Sequence, residues 1–211
     1  MDDVALSQLL GQLRSVSFAT LGHFLEQGFV SHEIRAMVPN VRLVGRAVTL
    51  RVAHADAIAV NRALASLTHG DVLVIDMAGD HAHACIGTVT QCAALSVGAM
   101  GIVVDGVVTD LVELRAAGLP VFARGTTQLT TKLLGSASSA FNIPVCCGGV
   151  VVNPGDVVMA DDNGVLILSP QMVAKAIAQA QASDRGEPAL LARLRAGEAV
   201  ESVLMTEPVE A

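Results

Sequence analysis

Three short apolar segments, separated by helical stretches, constrain the fold of this chain more than any other feature. They are VLVID at residues 72–76, GIVVDG at 101–106 and PVFAR at 120–124. Continuous apolar runs of this length are typical of strands that are buried on both faces. Residues 89–97 and 110–117, which lie between them, have the residue spacing of helices. This alternation predicts a parallel sheet whose strands are joined by right-handed crossovers.

The residues before this unit predict two amphipathic helices within the first thirty positions, the second running from Phe18 to Phe29. Residues 42–52 are rich in β-branched side chains and predict a strand that is broken at Gly45. Residues 55–67 have helical spacing, and Asp56 is the expected cap of that helix.

The residues after this unit predict short strands at 143–152, 157–159 and 164–168, joined by Asn-Pro-Gly-Asp and Asp-Asp-Asn-Gly turns. We expect them to form a β-meander packed against the parallel βαβ half. Two helices should follow, one over 170–182 and another over 188–195. The sequence therefore predicts an α/β fold.

The length favours one domain, because 211 residues suffice for a single large core and no linker or repeat divides them. The expected domain spans residues 1–211, with N-terminal helices over 1–38, a core over 39–168 and C-terminal helices over 169–211. Hydrophobic residues make up 52% of the chain and charged residues 16%. So little charge favours a homo-oligomer that buries surface between subunits, although an unusually apolar monomer has the same composition.

The charge, the lack of a long apolar run and the cysteine content limit the kinds of protein that this chain can be. The net charge is −7 and the basic residues are scattered, which argues against direct nucleic-acid binding. No apolar run reaches the ~20 residues that cross a bilayer, and the acidic N-terminus lacks the features of a signal peptide. The four cysteines form no C-x-x-C pair, so we expect small core residues in a reducing, cytoplasmic compartment. Those cysteines are Cys85, Cys92, Cys146 and Cys147.

The candidate site lies where two neighbouring parallel strands end. The segment Gly87, Thr88, Val89, Thr90 begins one helix, and Thr109 and Asp110 begin the next. Backbone N–H groups at a helix start bind anions, and ligands bind at this edge of open α/β sheets. The alternative is that Thr88 and Asp110 are simple helix caps, since both residue types favour that position.

The stretch from GDVLVIDMAGD through GTVTQCAALSVGAMGIVVDGVVTDLVELRAAGLPVFARG resembles the RraA-like superfamily, as does CCGGVVVNPGDVVMADDNGVLIL further on. The resemblance covers residues 39–168. That superfamily includes 4-hydroxy-4-methyl-2-oxoglutarate/4-carboxy-4-hydroxy-2-oxoadipate aldolases and regulators of ribonuclease E. The resemblance implies a single-domain swivelling β/β/α fold, an α/β/β/α sandwich, assembled as a homotrimer or a dimer of trimers.

The resemblance also implies a cofactor and roles for residues. The family's aldolases use Mg²⁺ or Mn²⁺ to polarise a small α-keto acid, with a signature of one acidic residue, twenty intervening residues and then Arg-Asp. Here Asp110 matches the metal-binding aspartate, whereas Thr88 replaces the acidic residue and Thr109 replaces the arginine. Gly87 to Thr90 and Thr109 then become the substrate-binding residues, with Asp110 and Thr109 as the catalytic pair. Asp184 and Glu187 fall where a neighbouring subunit's helix supports the metal waters.

Two functions remain open from the sequence. One is a metal-dependent lyase that cleaves 4-hydroxy-2-oxo-dicarboxylates or decarboxylates oxaloacetate, with activity impaired or altered by Thr88 and Thr109. The other is a non-catalytic, RraA-type regulator that binds a protein partner through its oligomeric surface.

Several other residues have weaker patterns. Arg124 could supply the charge that Thr109 lacks, although a structural role is favoured. His81 and His83 could form a metal pair, but solvated loop histidines are the simpler interpretation. The Asp161–Gly164 segment predicts a turn rather than a Ca²⁺ loop. Asp76, Asp80 and Asp105 are expected to be loop carboxylates at strand ends.

Overall fold

A computed structural model of the chain describes residues 2–205. The helices in that part are α1 (Asp3–Leu13), α2 (Phe18–Leu21), α3 (Ala57–Leu64), α4 (Thr88–Ser96), α5 (Leu111–Ala117), α6 (Pro170–Arg195) and α7 (Val200–Leu204). The strands are β1 (Arg35–Ala36), β2 (Leu43–Arg51), β3 (Asp71–Asp76), β4 (Gly101–Asp105), β5 (Val107–Val108), β6 (Val121–Ala123), β7 (Gly125–Thr126), β8 (Ala140–Phe141), β9 (Val145–Cys147), β10 (Val150–Val152), β11 (Val157–Asp161) and β12 (Gly164–Leu168). The ends of the expected domain, residue 1 and residues 206–211, lie outside this range.

The centre of the molecule is one mixed sheet. Its strand order is β1-β6-β4-β3-β2-β11-β12, and β8 also pairs with β2. The pairs β2–β3, β3–β4 and β4–β6 are parallel, which confirms the parallel unit that the sequence predicts. The carboxyl ends of these four strands therefore meet at one edge of the sheet.

Strand β3 is buried on both faces because every side chain in it is apolar except those at its two ends. Leu73 and Ile75 pack into a core beneath α3, α4 and α5. Val72 and Val74 pack into a second core that is covered by the β9–β10 hairpin. Each of these four side chains is fully buried, and each such burial stabilises the fold by about 1.5–3 kcal/mol.

A third core joins the terminal helices to the far end of the sheet. Leu9 and Leu13 of α1, and Val173 and Ile177 of α6, pack against the apolar face of β11 and β12. Helix α6 also supports α2, because the Asp184 carboxylate accepts hydrogen bonds from the Ser17 backbone N–H at 2.8 Å and from the Thr20 hydroxyl. The mixed α/β architecture is thus confirmed.

The strands predicted after residue 142 are present, but residues 143–152 form two strands, β9 and β10, and the predicted separate meander is wrong. Strands β11 and β12 form a hairpin that joins the same sheet, with β11 antiparallel to β2. Among the described strands that follow residue 142, only β9 and β10 stand apart as a two-stranded unit, and they cover one face of the sheet. The nine-residue β2 is long enough to pair with β3, β8 and β11 together.

The predicted break at Gly45 is wrong, because β2 passes through it without interruption. A β-carbon at Gly45 would lie only 2.7 Å from the Gly70 carbonyl oxygen. The glycine is needed for this close approach to the turn before β3, and it does not end the strand.

Two helix predictions also differ from the structure. The helix predicted over residues 18–29 ends at Leu21, since the chain turns through Gly22 and Gly28 and Phe29 then pairs with Leu166. The two predicted C-terminal helices are one helix, α6, with Pro188 inside it. Pro188 removes a single backbone hydrogen bond in a segment that is exposed, where water can solvate the freed carbonyl. Within residues 2–205 no helix combines the length and apolarity that a membrane crossing requires.

Candidate functional site

The candidate site forms where the chain leaves β3 and β4. These strands end in register at Asp76 and Asp105. The loop after β3 leads to Thr88 at the start of α4, and β5 leads to Asp110 just before α5. A backbone hydrogen bond of 2.9 Å from the Thr109 N–H to the Ile86 carbonyl joins the two approaches. The start of α4 and the Asp110 side chain therefore converge.

The Asp110 carboxylate is the centre of this site. Its Oδ2 accepts hydrogen bonds from the Thr88 backbone N–H at 2.9 Å and from the Thr88 hydroxyl at 3.0 Å. Its Oδ1 accepts a hydrogen bond of 3.1 Å from the Thr109 hydroxyl. Asp110 itself has a left-handed backbone conformation with φ 55°, which aspartate tolerates better than most residues. The turn thereby directs the carboxylate at α4.

These hydrogen bonds keep the carboxylate charged. The backbone N–H of Thr88 makes the largest contribution to lowering the pKa of Asp110, followed by the Thr88 hydroxyl. Slight burial opposes this effect, and the Thr109 hydroxyl lowers the pKa further. The carboxylate also lies at the positive end of the α4 dipole, where negative charge is stabilised. Asp110 is consequently an acceptor and an anion at neutral pH.

Gly87 allows the close contact between the two segments. A β-carbon at this position would lie 2.7 Å from Asp110 Oδ2 and 2.8 Å from Thr109 Cγ2. Its backbone N–H donates to the Thr90 hydroxyl at 2.8 Å, and that hydroxyl donates to the Gly87 carbonyl at 2.9 Å. Thr90 thus fixes the first turn of α4 while Gly87 leaves room for the carboxylate.

The structure changes the interpretation of the helix start. Asp110 makes no side-chain capping bond to its own helix α5 and caps α4 instead. The anion site predicted at the start of α4 is therefore filled in part by a carboxylate of the same chain. Val89, the next residue, is 82% exposed, so this helix start faces outward. Gly87, Thr88, Thr109 and Asp110 lie together as expected.

The ability of these residues to hold a divalent cation depends on one carboxylate. The described residues contain no group of three or more His, Cys, Asp or Glu side chains that could enclose a metal ion. Mg²⁺ does not need such a group, since it is commonly held by one or two carboxylates together with waters and substrate oxygens. A carboxylate has about four acceptor positions, of which Asp110 uses three. One remains, which fits a cation held by a single protein ligand.

The guanidinium of Arg124 is bound by two carboxylates of the same chain. Its Nε donates to Asp105 Oδ1 at 2.6 Å, and its Nη1 is paired with the Glu33 carboxylate. Asp105 also accepts a 2.7 Å hydrogen bond from the Gly148 backbone N–H. Arg124 therefore ties the edge of β4 to the β9–β10 turn and to the segment before β1, and its donors face carboxylates.

The two histidines of the β3–α4 loop have separate partners. His83 Nδ1 lies 2.7 Å from Asp80 Oδ2, and His81 Nε2 lies 3.5 Å from Asp105 Oδ1. The Asp161–Gly164 segment is the predicted turn, in which Asp161 accepts from the Asn163 N–H. Asp76 and Asp80 likewise accept backbone N–H bonds close to their own positions.

The residues expected to contribute from a neighbouring subunit differ in their environment. Glu187 is exposed on α6. Asp184 is half-buried and already accepts the two hydrogen bonds from Ser17 and Thr20 of its own chain.

The cysteine prediction is correct for two residues of the four. Cys85 and Cys147 are buried, and burial raises the pKa of Cys85 to about 12. Cys92 and Cys146 are exposed.

Gln91 is a buried polar residue on α4, beneath the site. The sequence pattern did not indicate it, since a buried glutamine on a helix has no sequence signature.

Comparison with known proteins identifies the family. The family model described as Aldolase/RraA matches residues 16–167. A protein of Halalkalibacterium halodurans named "Putative 4-hydroxy-4-methyl-2-oxoglutarate aldolase" is 38% identical over 135 residues, which cover 64% of this chain and 63% of that protein.

Solved structures agree. The structure of an uncharacterised protein from Pseudomonas syringae has a TM-score of 0.80 at 23% identity. The match covers 94% of this chain and 93% of that protein, and it shows that the two share a fold. RraAS2 from Streptomyces coelicolor, an unusual member of the RNase ES inhibitor RraA protein family, has a TM-score of 0.74 at 27% identity. That match covers 89% of this chain and 98% of RraAS2. The family model, which matches residues 16–167, shows that the chain belongs to the RraA-like family, and the shared fold agrees with it.

Proposed function

We propose that this chain is a lyase that acts on small α-keto acids with Mg²⁺ or Mn²⁺ held at Asp110. The observation that carries the proposal is the Asp110 carboxylate, which Thr88 and Thr109 hold in its charged form at the sheet's carboxyl edge. A divalent ion at this position would supply positive charge beside the keto oxygen as negative charge builds up there.

The substrate would be bound by neutral donors. These are the start of α4 at Gly87 to Thr90 and the hydroxyl of Thr109, and a substrate would compete with Asp110 for the Thr88 N–H and the Thr109 hydroxyl. None of these residues has a positive side chain, and the hydrogen bonds of Arg124 go to Asp105 and Glu33. A missing charged donor typically costs on the order of 3 kcal/mol of transition-state stabilisation. We therefore expect slow turnover.

The side chains favour decarboxylation over retro-aldol cleavage. Retro-aldol cleavage needs a base that removes a hydroxyl proton. Thr88 cannot act as that base, and the lowered pKa of Asp110 makes its carboxylate a weak one. Decarboxylation of oxaloacetate releases CO₂ without that proton transfer, so it makes the smaller demand on these residues.

The second candidate is a regulator that binds a protein partner. It is supported by the structural similarity to RraAS2 and by the replacement of charged signature residues with Thr88 and Thr109. A regulator does not need a keto-acid site. It also has no evident need for an Asp110 carboxylate that is held by three hydrogen bonds, and we rank it second for that reason.

We further propose that the chain acts as a homotrimer or a dimer of trimers. Large apolar side chains are exposed on the single chain, including Val89, Val112 and Leu133, each more than 70% exposed. Within such an assembly Glu187 is the better candidate for reaching a neighbour's site, since Asp184 is engaged within its own chain. Light scattering measures the assembly directly, and a monomer would contradict this proposal.

The lyase proposal is tested by a cleavage assay with oxaloacetate and with 4-hydroxy-4-methyl-2-oxoglutarate, each with Mg²⁺, with Mn²⁺ and with a chelator. We expect pyruvate release that requires the metal and that is lost in Asp110→Asn. Asp162→Asn is the matched control, because Asp162 accepts a backbone N–H bond from Asn40 away from the site. It should keep full activity.

Binding of oxalate in the presence of Mg²⁺, measured by titration calorimetry, separates a slow enzyme from a protein without the site. Absence of both turnover and oxalate binding in the wild-type chain would reject the lyase. Retention of binding by Asp110→Asn would reject the assignment of Asp110.

A further inference from the structure

Gln91 lies in α4, one helical turn beyond Thr88, and its side chain is directed into the protein. It is fully buried. Its Nε2 donates two hydrogen bonds, one of 3.0 Å to the Leu114 carbonyl and one of 3.2 Å to the Leu119 carbonyl. A single side chain of α4 therefore contacts backbone both within α5 and just beyond its end.

These two carbonyls lie at the end of α5: that of Leu114 also accepts the Gly118 N–H at 3.2 Å, and Leu119 follows the last helical residues. Helix α5 has only seven residues, and the last carbonyls of any helix have no intrahelical donor. Leu114 and Leu119 are both buried, and the residues between them, 115–118, are exposed. Gln91 therefore adds one side-chain bond from α4 to each of these two carbonyls.

The oxygen of the Gln91 side-chain amide does not stabilise the core. Its Oε1 is buried and accepts no hydrogen bond from any group in residues 2–205. A buried acceptor without a donor is destabilising, and an apolar residue of similar size would avoid it. The glutamine therefore contributes its two donated bonds, which tie α4 to α5, and leaves one acceptor unpaired.

We propose that Gln91 is a positioning residue that sets the contact between Asp110 and Thr88. The Thr109 N–H bond to Ile86 fixes the start of α5, and Gln91 fixes its end. With both ends tied to the α4 segment, the short helix has one orientation, and Asp110 at its start reaches the Thr88 N–H. The inference concerns the geometry of the site and does not depend on the lyase activity.

The test is the Gln91→Met variant, which keeps the length of the side chain and removes both donors. The readout is the chemical shift and hydrogen-exchange rate of the Thr88 backbone amide, assigned by NMR in the full-length protein. We expect a shifted resonance and at least tenfold faster exchange, because the amide loses its bond to Asp110. Gln91→Leu provides a second variant if the first does not fold.

Leu64→Ala is the matched control, since Leu64 is buried in the same core on α3 and makes no bond to α5. It should lower the melting temperature and leave the Thr88 resonance in place. If Gln91→Met and Gln91→Leu change the Thr88 amide no more than Leu64→Ala does, Gln91 is a structural residue only and the proposal is wrong.

Discussion

Asp110 approaches Gly87 more closely than a side chain at position 87 would permit. An ideal β-carbon on Gly87 would lie 2.7 Å from Asp110 Oδ2, well inside van der Waals contact. The backbone of Gly87 is extended, with φ −151°, so any residue could adopt its conformation. The requirement for glycine is therefore one of space, and it arises from the carboxylate.

Gly87→Ala should displace the Asp110 carboxylate from the start of α4. The added methyl group must push away Asp110 Oδ2 or Thr109 Cγ2, and crowding of this kind costs about 1–3 kcal/mol in the free energy of unfolding. Urea denaturation gives that free energy. Oxalate titration with Mg²⁺ should show weaker binding than the wild-type chain.

Gly11→Ala is the control for this substitution. Gly11 lies inside α1, and a β-carbon there would meet no atom within 4 Å. Alanine should stabilise that helix by about 0.5–1 kcal/mol and leave the site unchanged. Equal stability effects of the two variants would show that Gly87 is not needed for space.

The sheet could be predicted from the sequence because its strands have strong local signals. The apolar runs of β3 and β4 indicated burial on both faces, and this identified the edge at which Thr88 and Asp110 meet. The position of β11 beside β2 could not be predicted in the same way. That pairing depends on contacts between segments more than a hundred residues apart, which leave no local pattern.

Stability should fall in acid partly through Asp56. Burial alone would raise the pKa of Asp56, but the backbone N–H groups of Gly135, Ser136 and Ile58 outweigh it and hold the pKa below its ordinary value. Because the pKa is lowered in the folded state, the stabilisation is complete above the ordinary aspartate pKa. It is lost as pH falls through the folded-state value.

Asp56→Asn should cost about 1–3 kcal/mol at neutral pH, since the amide cannot accept all of these hydrogen bonds as well as a carboxylate does. The difference from the wild-type chain should shrink as the pH falls through the folded-state pKa of Asp56. Urea midpoints measured from pH 7 to pH 2 test this. A difference that is constant over the whole range would exclude Asp56 as an acid-sensitive group.

Thr109→Arg should increase pyruvate release from oxaloacetate. The guanidinium would add a positive donor next to Asp110, and such donors are commonly worth about 10²-fold in turnover. The comparison is kcat/KM for the wild-type chain, Thr109→Arg and Thr109→Val, the last of which removes only the hydroxyl that bonds to Asp110. If the arginine variant is no faster than the valine variant, missing charge does not limit the site.

The composition of the site could be predicted more fully than its geometry. The spacing from Thr88 to Asp110 indicated that the two residues meet. It did not indicate that Asp110 caps α4, because that depends on the left-handed backbone of Asp110 and on the space above Gly87. Gln91 was missed for a related reason, since its burial follows from the packing of α5 against α4.

Arg124→Gln should lower stability and leave the site's activity per folded molecule unchanged. The substitution removes the ion pair with Asp105, whose side chain is only 14% exposed and would keep its charge with fewer partners. We expect a loss of about 2 kcal/mol in the free energy of unfolding, less than the full cost for a deeply buried pair. Urea denaturation and the oxaloacetate assay measure the two quantities.

Glu33→Gln removes the other partner of Arg124 and serves as the comparison. Glu33 is 60% exposed, so its pair with Arg124 should contribute under about 1 kcal/mol. A ranking in which Arg124→Gln is clearly the less stable variant supports a structural arginine that acts mainly through Asp105. The opposite outcome would be an Arg124→Gln variant that is as stable as the wild-type chain but tenfold slower with oxaloacetate. Arg124, which follows β6, would then contribute to substrate binding and supply the positive charge that Thr109 lacks.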